Sequence, residues 1–335
     1  MSLKEIIAYN VGYGDCILLY FENDSHINEK YYLLVDFGIR KNTSNQQISS
    51  ILTSHRTSKK GDKENLIELV GNQIANIVSS SNMDILVTHF HEDHYNGICR
   101  ASAFKNLKLN IKKIFVSRKD IPNDLIQFIN FRKIQIDYLK KKDDYTIYQY
   151  RNGQSEKINI LWPNKILDKL SNKQEFLRIQ FPNWNRINEV PPSPGQIGEH
   201  DTCLVFEVKG VNDKWCLFTG DASDKFNAYI NNSNLINKPE SSCELFPLLS
   251  SKYFFIKAPH HGIESWPLKA AASNCEVLIT MGDKSKISTE YFSNTSITKI
   301  YMMNCMNCNG KGINGACSKC TVSPNQVDLS QTINL

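Results

Sequence analysis

The apolar positions divide the chain into a few amphipathic helices and many short strand-like runs. From Asp62 to Ser80, Leu66, Leu69, Val70, Ile74, Ile77 and Val78 recur at helical spacing, which predicts a helix with those side chains inward. Asn123 to Arg132 predicts a second, shorter helix. Residues 39–61 are rich in Ser, Thr, Asn and Lys and predict an exposed excursion. The remaining apolar runs are short, and several stop at a residue of ligand type. Asp84-Ile85-Leu86-Val87 leads into Thr88 and His89, and Trp215-Cys216-Leu217-Phe218 into Thr219-Gly220-Asp221. Tyr253-Phe254-Phe255-Ile256-Lys257-Ala258-Pro259 ends at His260-His261-Gly262, while His200 stands just before Leu204-Val205-Phe206.

The densest chemistry follows the first of these runs. His89, His91, Asp93 and His94 fall within six positions. Side chains alternate along a strand, so His89 and His91 share a face where the strand ends, with Asp93 and His94 in the next turn. Neutral imidazole nitrogens and a carboxylate are ligands for a divalent transition metal. This spacing suits two neighbouring ions better than one. Of the eight histidines only His26 and His55 lie outside the clusters, which argues against a chance histidine-rich turn. For His260 and His261 the bland alternative is one capping and one solvent-facing side chain. Glu92, between the ligands, is expected to point away.

Together, the THxHxDHxxG run of residues 88–97, the strand with Thr219-Gly220-Asp221 and the strand with Pro259-His260-His261-Gly262 resemble the metallo-β-lactamase fold superfamily. Val11-Gly12-Tyr13-Gly14-Asp15-Cys16 and Tyr32-Leu33-Leu34-Val35-Asp36-Phe37-Gly38 resemble its opening strands, with Asp36 as the first-motif aspartate. Gly-x-Gly-Asp, Thr-Gly-Asp and His-His-Gly point to one branch, the hydrolase domain of competence DNA-uptake channels (ComEC-type) and its soluble relatives. The resemblance covers about residues 1–300. It implies a four-layer αββα sandwich, two mixed sheets face to face with helices outside and the site at one edge between them.

The same resemblance implies that His89, His91 and His200 hold one ion, and that Asp93, His94 and His261 hold the second, with Asp221 bridging. That branch carries an Asn-x-x-Ser type run where this chain has His200-Asp201-Thr202-Cys203. His261, immediately before the glycine, is preferred to His260 as ligand. The implied activity is a dinuclear metal-dependent hydrolase, a phosphodiesterase or nuclease using a hydroxide shared by the ions. Asp93 is expected to orient that nucleophile and take its proton, and either His260 or a lysine of the middle segment to serve the leaving oxygen. Zinc suits the imidazoles and manganese is compatible with the carboxylates. The alternatives are a hydrolase of a carboxylic ester, thioester or lactone, since this fold hosts them, and a non-catalytic metal-bound protein whose tail docks a partner.

Composition constrains the rest. At 335 residues the chain can bury one large core with an appendage, expected as a hydrolase domain over 1–300 and a tail over 301–335. No apolar run approaches bilayer length, and the charged N-terminus reads as a strand rather than a signal peptide, so a cytoplasmic enzyme without membrane insertion is expected. A net charge of +5 permits a nucleic-acid or nucleotide substrate without demonstrating one. Six of the ten cysteines are scattered among apolar residues and read as reduced thiols. Cys305, Cys308, Cys317 and Cys320, spaced C-x2-C-x8-C-x2-C, predict a structural zinc ribbon that could also meet a protein partner. Lys105 to Lys119 reads more readily as a core strand with solvated lysines than as a basic rim. Residues 140–198 read as a variable insertion. Its Trp184 and Arg186 could bind substrate from a lid, or Trp184 could simply anchor a packed loop.

Overall fold

The computed structural model describes residues 2–22, 29–41, 43–54, 62–106, 109–163, 199–222, 252–265, 267–268, 271–280, 287–303 and 330–335. The elements are β1 (Ser2–Tyr9), β2 (Cys16–Glu22), β3 (Lys30–Phe37), α1 (Asn45–Ser54), α2 (Lys63–Val78), β4 (Asn82–Leu86), α3 (Glu92–Arg100), α4 (Ser102–Lys105), β5 (Asn110–Val116), α5 (Asn123–Arg132) and β6 (Gln135–Tyr138). They continue with β7 (Lys142–Gln149), β8 (Ser155–Trp162), β9 (Val205–Lys209), β10 (Trp215–Phe218), β11 (Tyr253–Lys257), β12 (Ala271–Ile279), α6 (Glu290–Ser293), β13 (Ile297–Met302) and β14 (Ser330–Asn334). The chain is thus mixed α/β, with two seven-stranded sheets ordered β14-β1-β2-β3-β4-β5-β6 and β13-β12-β11-β10-β9-β8-β7.

Each sheet changes character part-way across. In the first, neighbours from β14 to β3 pair antiparallel and those from β3 to β6 parallel. In the second, β7 to β10 pair antiparallel and β10 to β13 parallel. Parallel neighbours need long crossovers, and in the first sheet α1 with α2, α3 with α4, and α5 supply them. One core cluster joins the sheets: Ile17, Leu19, Leu33 and Phe115 of the first contact the same buried group as Ile158, Phe206, Phe218 and Phe255 of the second. A second cluster sets Leu18, Tyr32 and Leu34 against Leu66, Val70, Ile74 and Ile98 of the helices. Alternate residues of β2 and β3 therefore face sheet and helix, as a strand buried on both sides requires. Helices cover the first sheet. Beyond β8 the described residues hold one short α-helix, α6.

Several expectations need correcting. Residues 39–61 are not wholly an exposed excursion, because α1 buries Ile48, Ile51 and Leu52 at i, i+3 and i+4. Helix α2 starts at its Asp62 cap, whose side chain accepts from the Asn65 backbone N–H, but its inner face takes Ile67, while Ile77 is 40% exposed. In the span 140–198, residues 142–162 form β7 and β8, paired to each other and to β9. The boundary at residue 300 falls inside β13, and β14 returns to β1 with Glu5 opposite Asn334, so the chain's end belongs to the first sheet. Buried Ile333 is the side chain that fastens it. Residues 164–198, with Trp184 and Arg186, and residues 304–329, with Cys305, Cys308, Cys317 and Cys320, lie outside the described residues. Among the described residues Cys16, Cys99, Cys203, Cys216 and Cys275 are free thiols, and no helix is long and apolar enough to cross a membrane.

The close approach of β3 to α3 depends on Gly38. A Cβ there would lie 2.4 Å from the Asp93 carbonyl carbon and 2.6 Å from the His94 nitrogen, both backbone atoms that cannot swing aside. Gly38→Ala is therefore expected to cost on the order of 1–3 kcal/mol, the usual range for overpacking, read as a lowered urea midpoint at unchanged slope.

Candidate metal centre

Buried strands carry little polar chemistry in their interiors, so it collects at their ends. Here the carboxyl ends of β3, β4, β10 and β11 meet, at the places where both sheets switch from antiparallel to parallel pairing. β4 stops at Leu86 rather than continuing through the histidines. The chain then bends, and His91, with extended φ and ψ of −72° and 143°, caps the N-terminus of α3. The convergence of His89 and His91 is thus produced by a strand-to-helix turn and not by strand alternation.

Three imidazoles form the first group. His89 Nε2 lies 3.0 Å from His91 Nδ1, and His200 Nε2 lies 3.1 Å from that same atom. Burial pushes all three below their ordinary pKa, His89 far below and His200 down to about 4. They are neutral at pH 7, with ring nitrogens crowded around one point.

The second group is rich in carboxylates. Asp93, His94 and His261 offer ligand atoms within 4.8 Å of one another. Asp221 Oδ2 stands between the groups, 3.4 Å from His94 Nε2, 3.3 Å from His261 Nε2 and 3.9 Å from His200 Nε2. Burial works against charge on His94 and His261, but nearby carboxylates outweigh it. Asp221 and Asp36 hold His94 well above its ordinary value, and Asp221 and Asp15 hold His261 up at about 9. Positive charge is favoured at this spot. His260 is placed differently: its ring is 4.3 Å from that of His200, its side chain is partly exposed, and its Nδ1 lies 3.9 Å from Glu264. Both His260 and His261 have positive φ, 47° and 56°, a conformation disfavoured for residues with a Cβ.

A supporting layer fixes these side chains. Asp36 Oδ1 accepts the Thr88 backbone N–H at 2.8 Å, and its Oδ2 accepts Thr88 Oγ1 at 2.7 Å and faces His94 Nδ1 at 2.8 Å. His261 Nδ1 is held between Asp15 Oδ1 at 3.2 Å and Thr280 Oγ1 at 3.0 Å. A ring whose one nitrogen is tied to a carboxylate presents the other as a ligand, a common arrangement behind metal-binding histidines. His94 Nε2 is buried with no hydrogen-bond partner. The turn bearing His200 is clasped by Glu199, which accepts from the Phe90 N–H and from buried Arg118, itself paired with Asp120. Arg118 is therefore no part of a solvated basic fringe. Gly220, at φ 50°, lets the Asp221 turn close on Cys203, whose Sγ would stand 2.3 Å from an added Cβ.

No family model matches this chain, and no curated protein matches it in sequence.

The structure thus brings together His89, His91, Asp93, His94, His200, Asp221 and His261, with His260 at their margin. Imidazole and carboxylate donors and the crowded neutral nitrogens fit divalent cations. Sequence reasoning gave no role to Asp15, Thr88, Arg118, Glu199 or Lys257. The available signal was Lys257 itself, since a lysine at the inner end of an apolar strand must find anions to be buried. Its Nζ sits 2.5 Å from Asp15, and the carboxylates raise its pKa against the effect of burial.

Thr88→Val keeps the side-chain shape and the backbone N–H to Asp36 but removes the hydroxyl donor. The expected loss is about 1.5–3 kcal/mol, typical of a hydrogen bond to a charged group, measured by urea denaturation of the metal-free protein.

Proposed function

We propose that this chain is a dinuclear metal-dependent hydrolase of the metallo-β-lactamase fold, ComEC-like in its motifs, and that its substrate is a phosphodiester of a nucleic acid or nucleotide. The observation that carries the reading is the arrangement of His89, His91 and His200 on one side, and Asp93, His94 and His261 on the other, about Asp221 Oδ2. Two facing seven-stranded mixed sheets with the site at their strand ends agree with the αββα sandwich of that superfamily.

Two divalent cations, held by His89, His91 and His200 and by Asp93, His94 and His261, would supply a water of lowered pKa and neutralise charge building on the substrate. The protein's own side chains do the rest. Asp93 would orient the attacking water and accept its proton: its Oδ2 lies 3.7 Å from His261 Nε2, and its side chain stays 13% exposed where His94, His261 and Asp221 are closed off. His260, on the outer side of His200 and partly open to solvent, is placed to give a proton to the leaving oxygen. Asp36 and Asp15 fix the rings of His94 and His261, so no reorganisation is needed during reaction.

Purified protein supplied with Zn²⁺ or Mn²⁺ is expected to hydrolyse bis-p-nitrophenyl phosphate, and His91→Ala to abolish that turnover. Asp93→Asn is expected to keep the fold and lose most of the rate, about 10²–10⁴-fold for a missing general base. Failure of well-folded, metal-loaded protein to cleave the diester would overturn the substrate assignment, and near-wild-type turnover in Asp93→Asn the role of that residue.

A further inference from the structure

Lys257, at the end of β11, is 2% exposed, yet it does not belong to the donor set of either imidazole group. Its ammonium meets three oxygens from separate parts of the chain: Asp15 Oδ2 at 2.5 Å, the Gly220 carbonyl at 2.9 Å, to which it donates, and Asp221 Oδ1 at 3.6 Å. Two of these are within hydrogen-bonding distance and the third is an ion-pair contact, so the buried ammonium stands among two carboxylates and a carbonyl.

The two oxygens of Asp221 are used differently. Oδ2 faces His94, His261 and His200 at 3.3–3.9 Å. Oδ1 is buried with no hydrogen bond, and its charged neighbour is Lys257. A carboxylate free to turn can clasp one cation with both oxygens, mono- and bidentate modes being both common for such ligands. An ammonium beside Oδ1 opposes that, because it takes up part of the charge of that oxygen and repels a cation drawn to it. Asp15 completes the device, with one oxygen on Lys257 and the other on His261 Nδ1.

We propose that Lys257 is a positioning residue that holds Asp221 Oδ1, anchored from behind by Asp15, so that Oδ2 alone is offered to both ligand groups and can be shared by two ions. This inference rests on the two-ion reading of the site. It makes a prediction whose sign separates it from its rivals. If Lys257 merely added positive charge near the site, its removal would leave the pocket more negative and cations would bind tighter. If it served the fold alone, affinity would not change. If it positions Asp221, its removal weakens binding although the pocket becomes more negative.

The test is Mn²⁺ binding to the full-length chain, followed by calorimetry and by the electron paramagnetic resonance signal of free Mn²⁺. Manganese is used because the thiolates of Cys305, Cys308, Cys317 and Cys320 select softer ions. The native chain is expected to bind two Mn²⁺. Lys257→Met is expected to bind one of them about 10–100-fold more weakly, the usual effect of losing an outer-shell partner. The double variant D15N/K257M removes the buried pair without changing net charge or leaving an unpaired ion, so it carries the test should the single variant not fold. It is expected to show the same loss, with His261 retaining Thr280 as its Nδ1 partner. Unchanged or tighter binding in the folded variants overturns the role of Lys257 and leaves the two-ion reading standing. A native chain that binds fewer than two Mn²⁺ even at the concentrations that the weaker, all-imidazole position needs overturns the two-ion reading itself, and the inference with it.

Discussion

A carboxylate cut off from water governs this site. Asp36 is fully buried, and a buried anion without donors is too costly to keep. Its donors come from one segment, the residues after β4: the backbone and hydroxyl of Thr88, and the ring of His94. Meeting that requirement pins the start of α3 to the end of β3, at a distance only Gly38 permits. The Gly38 N–H reaches the Asp15 carbonyl and the Asp15 N–H reaches the Asp93 carbonyl, so three loops close into one unit. The orientation of His94 follows from hydrogen-bond satisfaction rather than from anything local to the histidine-rich run.

The topology explains why such distant residues meet. Both sheets pair antiparallel on one side and parallel on the other, and in each the change comes at a strand whose carboxyl end carries an aspartate, Asp36 as the penultimate residue of β3 and Asp221 just after β10. At such a switch the connections leave in opposite directions and open a crevice. The neighbouring parallel strand then delivers the imidazoles, His89 to His94 after β4 and His260 and His261 after β11. No repeat is visible between the corresponding stretches of sequence. The repetition lies in strand order and in what each strand end carries.

This also marks what the sequence could reveal. The cluster His89-x-His91-x-Asp93-His94 was legible because its density has no structural excuse, α2 because periodicity and the Asp62 cap agree, and α5 because Leu125, Phe128 and Ile129 recur at helical spacing. Helix α1 was hidden because Ile48, Ile51 and Leu52 are only three apolar positions among polar neighbours, enough to dock a helix on an existing core but too few to stand out. β7 was hidden because an edge strand with Lys142, Asp143 and Asp144 lacks clean alternation, and charge at a sheet edge is what prevents further pairing. Lys257 and Asp15 were illegible for another reason. Each looks anomalous alone, and the partner that explains it lies more than two hundred residues away.

The site is not symmetric, and the asymmetry has chemical content. One ligand group consists of three imidazoles kept neutral by burial. The other combines Asp93 with His94 and His261 in the field of Asp15, Asp36 and Asp221. Nitrogen-only donors favour a borderline-soft ion such as zinc, whereas a carboxylate-rich set also accepts harder ions such as manganese. On the proposed reading the two positions are therefore unequal in affinity and in preferred metal, and the Asp221 carboxylate faces both. That is why its orientation matters more than that of any single terminal ligand: a displaced terminal ligand alters one position, but a turned Asp221 alters the relation between the two.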